Sequence, residues 1–211
     1  MGNQLTAENF REAFASTWKV LVQEQGDAIK QAYAQDLTWT KFMLKGGEHS
    51  QSMLASVADW LGKNKNLMLK TRQEWYTADM LLVSEDCFAG VIDYPHFVDA
   101  IIEHENGARL EEEMWKLLQW RSPLKIIIGY DYTAEHYKKT GRADERWIDQ
   151  KYNVLRSMYV TATERFKDPD AQYLLIYGQR ETDGSIHWYH QRIDQEDSKQ
   201  LPIDQPSPWS S

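Results

Sequence analysis

Residues 97–130 read FVDAIIEHENGARLEEEMWKLLQWRSPLKIIIGY. The stretch predicts strand, helix, strand. Phe97 to Glu105 carries the apolar run Ala100-Ile101-Ile102 and ends in Glu103-His104-Glu105, and Asn106-Gly107 breaks the pattern. Leu110 to Trp120 then places Leu110, Met114, Leu117 and Leu118 at helical spacing, with Glu111, Glu112 and Glu113 in the first turn, where negative charge suits the helix dipole. Pro123 closes the turn. Leu124 to Tyr130 is nearly all apolar, as expected of a central strand covered on both faces. Strand–helix–strand favours a parallel, right-handed crossover, and hence an α/β fold.

The flanking sequence extends this unit in both directions. Thr6 to about Ala34 predicts a long helix through Phe10, Phe14, Trp18, Leu21 and Val22, with Gly26 as a bend. Trp39 to Gly47 reads as a loop or short turn. Ser50 to Leu61 is a second amphipathic helix stopped by Gly62. Leu67 to Ser84 predicts one long strand or two extended pieces. Asp144 to Phe166 predicts a helix, and Tyr173–Gly178 with Ile186–Ile193 a hairpin around Asp183-Gly184. The whole predicts a mixed central sheet flanked by helices, with a C-terminal β-hairpin. Residues 1–194 form a single α/β domain in this reading (N-terminal helices over 6–61, core over 67–194), and residues 195–211 a polar, loosely held tail.

Composition narrows the class. The 211 residues include 24 Lys and Arg against 32 Asp and Glu, a formal charge of −8, with nine Trp and eleven Tyr. Such an aromatic-rich chain is not of disordered type. Its acidity repels nucleic acid at long range, so nucleic-acid binding requires a local basic patch. Lys63, Lys65, Lys70 and Arg72 form the one modest basic stretch near the candidate site, read as a solvated loop, with phosphate contact as the alternative. Cys87 is the single cysteine, which excludes an intramolecular disulfide and a Cys-rich zinc site. The N-terminus lacks the features of a secretory signal, and the apolar runs are too short for a membrane span. The expectation is a cytoplasmic protein with no membrane partner; the oligomeric state stays open.

The chemistry lies in the Glu-x-Glu. Residues two apart in a strand share a face, so Glu103 and Glu105 project together and His104 opposes them. Adjacent carboxylates repel, and burying them requires a cation or a shared proton. Hard oxygen ligands suit Mg2+ or Mn2+. Asp79 opens an apolar run in the preceding strand segment and reaches the same cluster if that segment pairs antiparallel with residues 97–105. Lys116, in the following helix, is the candidate electrostatic helper. Glu111 to Glu113 are read as a helix N-terminal charge cluster, with Glu113 the one of the three to consider as a further site carboxylate. Two conditions attach to this reading. Asp79 must turn toward the glutamates, and no salt bridge should already fill the gap.

Asp79, the intervening turn, Glu103-x-Glu105, a helix and a strand together resemble the restriction-endonuclease-like, or PD-(D/E)XK, nuclease superfamily over roughly residues 67–130. The resemblance implies a metal-dependent nuclease that hydrolyses phosphodiester bonds in nucleic acid. It implies Asp79 and Glu103 as metal-binding and catalytic carboxylates, Glu105 at the third motif position beside them, and a further metal contact from the backbone carbonyl of His104. Glu105 stands where the pattern usually has Lys, and Ala78 where it has Pro. The alternative is a non-catalytic accessory protein on the same scaffold, whose acidity and Trp and Tyr content suit a protein partner.

Overall fold

The computed structural model describes residues 4–33, 36–47, 51–75, 77–84, 95–106, 109–132, 147–165, 170–180 and 185–205. Cys87, the Asn106-Gly107 break at Gly107 and the Asp183-Gly184 turn fall outside them, as does Phe166.

Among the described residues, seven strands form one mixed sheet in chain order: β1 (Leu69–Trp75), β2 (Ala78–Ser84), β3 (Ala100–Asn106), β4 (Leu124–Tyr132), β5 (Gln172–Arg180), β6 (Ile186–Arg192) and β7 (Leu201–Pro202). β3, β4 and β5 run parallel, and the pairs outside them are antiparallel. The parallel β3–β4 pair is joined through α4 (Leu110–Gln119), as residues 97–130 predict. The 67–84 segment is a hairpin of two strands, not one long strand. β3 starts at Ala100; Phe97 precedes it and is half exposed.

Strand alternation sorts the core into two layers. Even-numbered side chains (Met80, Leu82, Ile102, Ile126, Ile128, Ile176) pack with α1 (Ala7–Tyr33) and α3 (Met53–Lys65). Odd-numbered ones (Leu81, Val83, Ile101, Ile127, Leu175) pack with Leu110, Met114 and Leu117 of α4 and Leu155 of α5 (Trp147–Arg165). β4 is therefore covered on both faces, which is why Leu124–Tyr130 is nearly all apolar. Among the described residues no helix is long and apolar enough to cross a membrane.

Several local expectations are corrected. Trp39 to Gly47 is no loop: a short helix α2 (Asp36–Thr40) runs into one π-type turn at Lys41–Lys45, which buries Trp39 and Met43 completely. The bend in α1 lies at Gln25, whose backbone is non-helical, and Val22 faces solvent there. α3 passes through Gly62 and stops at Asn66, which takes the left-handed conformation at φ 54. Ser52 caps its start by accepting from the Ala55 amide at 3.2 Å. The tail beyond Gln195 is held as far as Gln205: β7 pairs with β6, Ile203 is buried, and the Gln205 carbonyl lies 2.7 Å from His190 Nε2.

The α1 side of the sheet is an aromatic cluster. Trp39 stacks near Trp188 and Phe42 and meets Tyr33, Trp18 and Tyr130 edge-on. Gly178, paired with Trp188 across β5 and β6, leaves the room this indole needs: a Cβ there would fall 2.7 Å from the ring. Gly178→Ala is expected to cost about 1–3 kcal/mol by overpacking, read as a lower urea midpoint with an unchanged slope.

Candidate metal centre

The antiparallel register Met80↔Ile102 puts Asp79, at the start of β2, beside Glu103 of β3. Both residues are odd-numbered and face α4. The condition on Asp79 is met. Its Oδ2 accepts the backbone N–H of His104 at 2.8 Å, and its own amide donates to Glu103 Oε2 over a long 3.4 Å. The strand ladder thus aims the aspartate along β3 toward the glutamate.

α4 closes the site from above. Its inward face carries Leu110, Glu113, Met114 and Leu117, all buried, with Lys116 one helical step from Glu113. Ligand oxygens of Asp79, Glu103 and Glu113 lie within 4.8 Å of one another. Glu103 is completely buried and Glu113 nearly so. Glu113 is the converging carboxylate that the charge-cluster reading demotes. The signal for it was available: Glu113 lies three residues after Leu110 and four before Leu117, on the apolar stripe, where a solvated dipole partner has no reason to be.

Glu105 does not join the three carboxylates that converge. It shares the face with Glu103, as alternation requires, but two strand residues carry it roughly 7 Å further along β3. Glu105 is only partly buried and lies level with Gly129 of β4. His104 points to the opposite face, where its buried ring stacks on Tyr130 at 5.1 Å between centroids. Burial holds that imidazole neutral, with its pKa pushed down to about 3. Only the backbone of His104 is on the acidic side.

The condition on salt bridges is not met: Lys116 already occupies the gap between Glu103 and Glu113. Lys116 Nζ donates to Glu103 Oε2 at 3.1 Å and to the Thr77 carbonyl at 3.3 Å, and it touches Glu113 Oε2. One ammonium faces three carboxylates, so full ionisation would leave two uncompensated negative charges. Among the described residues the Glu103 Oε1 atom is buried with no hydrogen-bond partner, and Glu113 Oε2 touches the ammonium without hydrogen-bond alignment. Desolvation, then the charge of Asp79, pushes the Glu103 carboxyl up to about 9 against the pull of Lys116. Lys116 is raised from its ordinary value despite its own desolvation, because the close Glu113 and Glu103 carboxylates favour its charged form. The lysine is held toward its charged form, and burial beside Asp79 pushes the Glu103 carboxyl toward its protonated form.

The residues fit a divalent ion by this reasoning: the donors are hard carboxylate oxygens, charge is in excess, and one buried oxygen lacks a partner. No protein-family model, no curated protein and no solved structure matches the chain.

Proposed function

We propose that this chain is a divalent-metal-dependent nuclease built on a restriction-endonuclease-like core, with Asp79, Glu103 and Glu113 as the metal-binding carboxylates. The observation that carries the reading is the convergence of those three side chains from β2, β3 and α4 around a single lysine. Glu113 takes the place first assigned to Glu105, and Lys116 supplies from α4 the positive charge that the superfamily pattern takes from β3. Bound there, Mg2+ or Mn2+ would polarise a phosphoryl oxygen and lower the pKa of a water. The chain's own groups do the remaining work. The His104 amide fixes the orientation of Asp79. The Lys116 ammonium, partly exposed, faces the negative charge that develops on a phosphodiester.

A second reading, a non-catalytic protein-binding scaffold, draws on the Lys116 pairs: a cluster closed by one lysine and one retained proton holds together without metal. Thermal denaturation separates the two. At Mn2+ about 100-fold above its Kd the metal site is worth about 2.7 kcal/mol, a rise of roughly 5–10 °C for a chain of this size. The nuclease reading requires that rise together with cleavage of DNA or RNA. No rise and no cleavage of single- or double-stranded substrates would leave the scaffold reading alone.

A further inference from the structure

We propose that Lys116 is a resident counter-ion that an incoming divalent cation displaces, so that loading the carboxylate site is an exchange of cations. The inference rests on the metal-site reading and adds a regulated state to it. The ammonium occupies the oxygens a metal would need: it bonds to Glu103 Oε2 and touches Glu113 Oε2. The Glu103 side chain is fully buried, whereas that of Lys116 is 20% exposed, so the lysine is the solvent-accessible member of the pair. A landing place exists outside the cluster, because Nζ already reaches the Thr77 carbonyl at the β1–β2 turn. A four-carbon stem lets the amine move there without moving α4. The orphaned Glu103 Oε1 shows that one ammonium does not saturate the buried carboxyl.

Cation exchange makes the site selective by charge. A monovalent ion offers nothing the ammonium does not already supply, while a divalent ion brings one more positive charge to a cluster with negative charge in excess. Metal loading therefore frees the ammonium toward the mouth of the site, where a phosphodiester would meet it. Lys116 in this role is a positioning and gating residue as well as an electrostatic one.

The test uses the full chain and Mn2+ as probe. Lysines are labelled with an amine-acylating reagent with and without Mn2+ and read by mass spectrometry, with exposed Lys63 as internal reference. The expected result is a several-fold rise in Lys116 labelling on Mn2+ addition, with Lys63 unchanged. Calorimetric titration is run in parallel on wild type and Lys116→Met, with at least tenfold tighter Mn2+ binding expected in the variant and little effect of added K+ in wild type. Mn2+ binding with Lys116 labelling unchanged or reduced overturns the exchange and leaves the metal site standing. Absence of binding heat in both proteins overturns the two together. Should Lys116→Met fail to fold, the wild-type labelling alone decides.

Discussion

In the proposed nuclease, Glu103→Gln is expected to lower metal-dependent cleavage by about a hundredfold or more while making the metal-free protein more stable at neutral pH. The two effects have one cause. Glu103 is fully buried beside Asp79 and Glu113, and its carboxyl holds a proton up to about pH 9, against an ordinary value of 4.5. In the unfolded chain the same group ionises near its ordinary value. Between those limits the folded state binds the extra proton, so stability falls as pH rises. The loss is absent below about 4.5 and complete above about 9. From 4.5 to pH 7 the cost is up to about 3 kcal/mol, at about 1.4 kcal/mol per pH unit. Glutamine keeps the shape and an acceptor for Lys116 but has nothing to ionise. Urea unfolding across this range should therefore show a negative slope in wild type and a flatter line in the variant. Equal slopes would mean that Glu103 is ionised in the fold and that Lys116 alone neutralises it.

The largest loss of stability is expected from Trp39→Ala, about 3–5 kcal/mol. Trp39 has no exposed surface and sits among Trp18, Tyr33, Phe42, Tyr130 and Trp188. These rings come from α1, the π-type turn, β4 and β6, so no single element can close the hole left by the indole. Trp115 is the control. It is 59% exposed on α4, and Trp115→Ala should stay within about 0.5 kcal/mol of wild type. Denaturant midpoints for both variants check the contrast. A Trp39→Ala loss no larger than that of Trp115→Ala would contradict the packing described.

What the sequence disclosed follows from which interactions are periodic. The cover on both faces of β4 was legible because Leu124 to Tyr130 is an almost unbroken apolar run. The β3–α4–β4 crossover was legible because the period changes from strand to helix and back over 97–130. Trp39 was missed because a helix of five residues and a five-residue π-type turn are too short to show a period. β7 was missed because a two-residue strand among prolines has no pattern, although Ile203 marks where the tail returns to the core. At the site, alternation correctly put Glu103 and Glu105 on one face and His104 on the other. It could not say at which rung α4 crosses β3. That crossing height selects Glu103 over Glu105 and brings Glu113 down to it. The approach of Asp79 depended on the β2–β3 register, which alternation fixes in parity but not in position.

The central claim is that Asp79, Glu103 and Glu113 together hold one divalent ion. Anomalous diffraction from crystals soaked in Mn2+ tests it most directly. The account predicts a single strong peak within coordination distance of all three carboxylates, lost in Glu103→Gln. A peak on Glu105 away from Glu113, or no peak with the Lys116 ammonium still seated between Glu103 and Glu113, would contradict it.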